Sequence, residues 1–415
     1  MPPAPLGLPL ATPGFPNLSN LQVPVIGTKW AVGTVFLLHI LFGSYTMGTL
    51  LTGPCYELVG RWRGSANCIR YASGLAEVNL KIFSIGATLA GFAVIFLAAL
   101  YGRMWIPLVE IMIIPFAIAF TIWLPTLAAL YLYAHRFSEA FGAGWHVALG
   151  FAAAFGDHIF LFFIVGVDSF LLTPGTGRGV GAFFNPTFLP ELLHRFTGNM
   201  SWSSFFIAAV FAVRAGRAEP GPEREYRLWA ARASLVVGFL LLVPQALSGV
   251  DFVVQMHDAS PGAFHTSFTT YGYLWIAQVS MLCALLLGGS VYFAASRPSL
   301  LGWLLSSLIL VGGVASALPN QVYGVRYFWV RLIALGAVFV IALLSWLWWL
   351  GRRRLTLRSP LVARSALATV GVIAVALFLL MGVIRTSARD PYAVFGKITQ
   401  QQSQGIFNPG PGHYP

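Results

Sequence analysis

Four histidines of this 415-residue chain fall inside or at the edge of long apolar stretches: His39, His146, His158 and His194. Imidazole is the commonest metal and haem ligand. An ionisable group inside a bilayer is costly enough to mark a functional site by default. His39 sits in FLLHILFGSYTMG, with Gly43 one turn on and Gly33 and Gly48 further along. Small residues beside a ligand leave room for a flat macrocycle. His194 has Gly198 one turn on and Arg195 beside it, and an arginine there suits a haem propionate. These surroundings favour haem ligation at His39 and His194 over His158, and at His158 over His146. The same features also fit hydrogen-bonded packing histidines, with the glycines serving close helix contacts.

A second pattern runs through one apolar stretch. His146, Asp157 and Asp168 are spaced eleven apart, which returns a helix to within about 20° of the same face and spans about 33 Å. Such a stripe suits a wire of waters and carboxylates that carries protons. Alternatively, each acid pairs with a neighbouring helix. Glu77 and Lys81 form an i,i+4 pair in the favoured order, and Glu110 has no obvious partner in sequence. Cys55, Cys68 and Cys283 give neither an even framework nor a CxxC, which argues against a disulfide fold or a thiolate metal site. Two haem architectures are excluded. A bc-type cytochrome b needs two helices that each bear two histidines about a dozen residues apart, and a haem–copper oxidase needs adjacent copper-ligating histidines.

The elements that position these groups follow from composition. The chain is 57% hydrophobic and only 9% charged, with a mean hydropathy of +0.76, against about 25% charged in soluble domains. A soluble enzyme is thereby excluded, and the apolar runs exclude disorder. The net charge of +12 comes from 25 basic residues scattered between apolar segments, which make no patch for nucleic acid. A span needs about 20 apolar residues. Ten are predicted, at 29–52, 78–101, 106–134, 146–172, 189–215, 228–249, 268–295, 299–318, 327–350 and 363–385. Alternating ten-residue segments of a closed barrel are absent, so the spans are helices, and the fold class is an all-α polytopic membrane bundle.

Basic residues concentrate in the odd-numbered loops: Arg61, Arg63 and Arg70; Arg136; Arg217, Arg224 and Arg227; Arg297; then Arg352, Arg353, Arg354 and Arg358. The even-numbered loops hold only Arg103, Arg178 and Arg326. The positive-inside rule makes the odd loops cytoplasmic and puts both termini outside. Residues 1–28 lack a basic n-region and read as an extended arm. The bundle occupies 29–385, and residues 386–415 read as an extended outer tail, either a strap on a partner subunit or a frayed terminus.

Four stretches resemble subunit I of the cytochrome bd quinol oxidases, in a divergent form. Trp30 to Gly48 is similar to the family's first helix, whose haem-ligating histidine falls at His39. Leu149 to Pro174 (LGFAAAFGDHIFLFFIVGVDSFLLTP) resembles the fourth helix and its trailing proline turn. Asn185–Pro186 followed by His194 matches the start of the fifth helix, whose histidine binds the low-spin b haem. Arg389-Asp390-Pro391-Tyr392 looks like a relaxed Gly-Arg-Gln-Pro-Trp motif.

The resemblance implies haem b, one or two copies, with Met281 in the seventh span as the nearest candidate for a second axial ligand. The family's long quinol loop between the sixth and seventh helices shrinks here to about 250–268, keeping Asp251, His257, Asp258 and His265. The acids that the family keeps on its third helix fall at Ala117 and Pro125. Their loss removes groups that ligate haem or relay protons to oxygen, so haem d is not expected. The expected function is a haem b subunit of a respiratory complex in the bacterial inner membrane. It would pass electrons between quinone or quinol and an outer-face partner such as a c-type cytochrome. The alternatives are a complete bd-type quinol oxidase and a haem-free proton-conducting or structural subunit.

Overall fold

The computed structural model describes Val23 and residues 27–135, 142–174, 180–296, 299–318, 321–322, 325–326, 328–350 and 360–405. Most of the expected N-terminal arm, the last ten residues of the tail, and Arg136, Arg178, Arg297, Arg352, Arg353, Arg354 and Arg358 lie outside these. The long helices are α1 (Thr28–Leu50), α2 (Thr52–Arg63), α3 (Ala66–Leu100), α4 (Gly102–Ile111), α5 (Ile113–Ala134) and α6 (Ala143–Leu172). After the single turn α7 (Val180–Phe183) come α8 (Phe188–Gly216), α9 (Pro222–Ala259), the short α10 (Pro261–His265), α11 (Gly272–Ser296), α12 (Leu300–Ala317), α13 (Phe328–Leu350) and α14 (Pro360–Ala388). All ten expected spans fall on helices. Among the described residues, nine helical segments are long and apolar enough to cross a membrane, and α13 adds the shorter apolar run Ile333–Trp349. The chain is therefore a multi-pass helical membrane protein.

Local chemistry sets the helix ends. Gly64 takes the left-handed conformation after α2, where its N–H caps Gly60, and Ser65 accepts from Cys68 N to start α3. Serine and threonine side chains turn back onto carbonyls four residues earlier, as at Ser84, Thr121 and Ser296. That keeps hydroxyls satisfied where water is absent. Large apolar side chains such as Ile114, Leu124, Phe155, Leu247 and Val311 point outward, as lipid-facing surfaces require.

The core is aromatic and tightly packed. Trp346 stacks on Phe239 with centroids 4.0 Å apart and donates its indole N–H to Ser290 at 3.0 Å. Three spans differ most from expectation. The second begins at Ala66 instead of 78. The third breaks at Met112 into α4 and α5. The sixth runs far past residue 249, because the apolar Val250, Phe252, Val253 and Val254 continue the helix to Ala259; the expected 250–268 loop is mostly helix. Pro244 does not stop it, a tolerance common in membrane helices.

The C-terminal segment, read as an extended tail, folds back on the chain through residue 405. Strands β3 (Tyr392–Val394) and β4 (Ile398–Thr399) pair antiparallel, followed by the turn α15 (Gln400–Ser403), capped by Thr399. Phe395 N–H donates to Leu171 O at 2.9 Å, Gly405 N–H to Leu100 O at 2.9 Å and Arg103 N–H to Gly405 O at 3.3 Å. A second small hairpin, β1 (Gln321–Val322) and β2 (Val325–Arg326), joins α12 to α13.

Candidate functional site

Three histidines share one arrangement. His39 Nδ1 lies 2.9 Å from Gly86 O on α3, His194 Nδ1 lies 3.0 Å from Gln245 O on α9, and His158 Nδ1 lies 2.7 Å from Ala154 O on its own helix. A carbonyl oxygen only accepts, so each Nδ1 carries the proton and donates it. Each Nε2 then presents a lone pair, and none of the three has a hydrogen-bond partner among the described residues. This is the tautomer and anchoring that a ligating imidazole uses. The residues present therefore fit an axially bound haem iron.

His146 is different. Its Nδ1 lies 2.7 Å from Glu57 Oε1 and its Nε2 3.1 Å from Tyr133 O, so both nitrogens are engaged. His146 has no free ligand position.

The glycines divide in the same way. A side chain at Gly33 would meet nothing within 4 Å, and one at Gly43 would just reach His39. Gly48 instead lies against the Asn199 backbone and Ser203 of α8, and Gly198 against the Gln245 side chain. Space beside His39 is open; Gly48 and Gly198 serve helix packing. Across from His194, a Cβ at Gly249 would lie 3.0 Å from Cε1, so a glycine there lets the imidazole seat against α9.

The stripe on α6 is brought to one face, but its members have separate partners. At the α6 N-terminal end, Glu57 accepts from Arg61 Nε at 2.8 Å as well as facing His146, and both Glu57 and His146 are buried. Asp157, in the middle, is buried, and its Oδ2 has no partner among the described residues. Asp168, at the far end, is gripped by Arg195 and Arg385. Glu191 completes this cluster, 3.0 Å from Arg195 Nε and 3.0 Å from Arg385 Nη2. Arg195 thus spends its guanidinium on two carboxylates. Between His146 and Asp157 the face is filled by Val147, Gly150, Ala153 and Ala154.

Met281 sits on α11, which packs on α12, α13 and α14, whereas His194 faces α9. Two other methionines accept hydrogen bonds: Met47 Sδ from Asn199 and Met381 Sδ from Gln278. Asp251, His257, Asp258 and His265 are all exposed, with His257 Nδ1 2.8 Å from Asp258 Oδ1. Ala117 and Pro125 both face outward on α5. Among the described residues no cluster of three or more His, Cys, Asp or Glu could hold a metal ion.

The sequence reading missed Glu57, Tyr133, Arg385 and the carbonyls of Gly86 and Gln245. The Asn185–Pro186 motif gains a role. Asn185 accepts from Thr173 at 2.9 Å and donates to Ser169 at 2.7 Å, tying the end of α6 to the start of α8. Arg389 is buried and donates to Ala393 O at 3.0 Å. Asp390 accepts from Lys29 at 3.3 Å and from Tyr271 at 2.7 Å, so the Arg389–Tyr392 stretch pins α14 to the starts of α1 and α11.

The fold is similar to that of the bd oxidase from Geobacillus thermodenitrificans, with a TM-score of 0.56 and 14% identity over 86% of this chain and 94% of that one. At that identity the likeness concerns the fold. No protein-family model matches the sequence, and no curated protein matches it.

Proposed function

We propose that this chain is a haem b-binding subunit of a membrane respiratory complex. In this reading it passes electrons between the quinone pool and a redox partner on the outer face, with both chain termini on that face. One observation carries the proposal: His39 and His194 each give Nδ1–H to a main-chain carbonyl and keep Nε2 free. His158 has the same arrangement and ranks third, since its anchor is its own helix and one face is closed by Phe196 at 4.9 Å. A b haem, when bound, supplies one-electron chemistry. The chain orients each imidazole, keeps it neutral, and surrounds it with apolar helices that exclude water. Met281 would serve as a second axial ligand only from α11. The likeness to a bd oxidase fold supports the respiratory setting, and the outward-facing Ala117 and Pro125 favour an electron-transfer role over oxygen reduction and leave haem d without acids.

Asp157 is proposed as the central member of a proton path with His146 and Asp168 at its two ends. An exposed surface of Asp251, His257, Asp258 and His265 is proposed as the place where quinone or the partner, for instance a c-type cytochrome, approaches.

Haem content of point variants tests the reading. His39→Ala and His194→Ala should each lose about one haem per chain by pyridine haemochrome assay. His146→Ala should keep its full haem content. Unchanged haem in both of the first two variants would contradict the ligand assignment.

A further inference from the structure

At the end of the bundle that holds the α6 N-terminus, a cleft of about 560 Å³ opens between α3, α8 and α9. Its walls are apolar, formed by Ile69, Phe211 and Tyr226, and its rim carries Arg70, Arg214 and Arg227. Two acids, Glu77 and Glu223, share the lining, so positive charge is in excess. Glu223 divides its single charge between two arginines, accepting from Arg70 at 2.5 Å and from Arg227 at 2.7 Å. Arg70 also lies over the Tyr226 ring at 3.9 Å, which holds its plane. Arg214 is exposed, and its guanidinium has no partner among the described residues. A guanidinium offers five N–H donors in a fork that matches phosphate oxygens, and most of those donors are unused here.

The surface beyond the cleft is equally specific. At Gly74 a side chain would meet nothing within 4 Å. Val78 and Ile85 continue the same face of α3, four and eleven residues on, and both are exposed. A basic mouth therefore opens onto an apolar track that runs along a membrane-crossing helix.

We propose that this cleft binds the phosphate headgroup of an anionic phospholipid, with Arg70 and Arg214 on the phosphate and an acyl chain along Gly74, Val78 and Ile85. Basic pockets between the ends of membrane helices take such headgroups by charge and by the burial of the adjoining chain. The site is independent of the haem reading.

Native mass spectrometry of the full chain in non-ionic detergent tests it, titrating phosphatidylglycerol against phosphatidylcholine with the same acyl chains. One phosphatidylglycerol should be retained in preference to phosphatidylcholine, and Arg214→Gln should weaken it about fivefold. Arg214 makes no side-chain contact to a partner, so this variant should keep its helical circular dichroism, whereas Arg70→Gln also breaks the Glu223 pair. Inorganic phosphate at the same concentration should not displace the lipid. Equal retention of the two lipids, unchanged binding in Arg214→Gln, or displacement by inorganic phosphate would each overturn the assignment.

Discussion

At the scale of single residues, the four membrane histidines separate by what holds their Nδ1. Sequence ranked His39 and His194 first and His146 last, on neighbouring glycines and an arginine. The structure sorts the same residues on a different ground, main-chain anchoring against a Glu57 carboxylate. The anchors were not legible, because Glu57 is 89 residues from His146 and Gln245 is 51 from His194. Spacing along one helix says nothing about which neighbour it faces. Arg195 shows the same limit, since its partner Asp168 lies on another helix. Asp157 is buried with one oxygen unpaired, which is the ground for proposing it as the central member of a proton path. Asp157→Asn should slow proton-coupled turnover while leaving haem content intact, measured by quinol-driven electron transfer in vesicles; normal turnover would leave the stripe as packing. Just ahead of the membrane-length helix Gly272–Ser296, the Tyr271 hydroxyl is pushed up to about 12 from 10.0, chiefly because it donates to the Asp390 carboxylate. The neutral phenol is thus favoured in the folded chain, so its contribution to stability is complete below pH 10 and is lost as pH rises toward about 12. Between pH 9 and 11.5, melting of the wild type should fall more steeply than that of Tyr271→Phe; parallel curves would show that the pair does not couple to folding.

At the scale of elements, every expected span proved helical, since runs of about 20 apolar residues leave few alternatives in a bilayer. What failed were the ends. The sixth span ran ten residues past its predicted end, to Ala259, and the tail to residue 405 became a hairpin. That hairpin depends on long-range bonds to Leu171 and Leu100, which no local pattern announces. Glycine roles were legible only as a choice between space for a ligand and helix contact, and α8 decides it. Gly48→Ala would drive a methyl into the Asn199 carbonyl and push α1 off α8, at a cost of about 1–3 kcal/mol. Gly33→Ala has open space and should be neutral or slightly stabilising, as helix propensity favours alanine. Thermal unfolding in detergent distinguishes them; equal effects would mean that α1 and α8 are not in close contact at Gly48.

At the scale of the whole molecule, charge clusters mark the two ends of the bundle. Glu57, Arg61 and His146 lie at one end with the arginine-lined cleft, and Asp168, Glu191, Arg195 and Arg385 at the other. The imidazoles with free Nε2 stand within the helices themselves. Composition alone placed the chain in a membrane, and the fold's likeness to a bd oxidase agrees with a resemblance first seen in four short stretches. The cofactor is the central claim, and a reduced-minus-oxidised optical spectrum of the purified protein, quantified as the pyridine haemochrome, tests it most directly. The expected result is a b-type band corresponding to one or two haems per chain, with no d-type band. A d-type band would restore an oxygen-reducing enzyme, and a spectrum without haem would contradict the account.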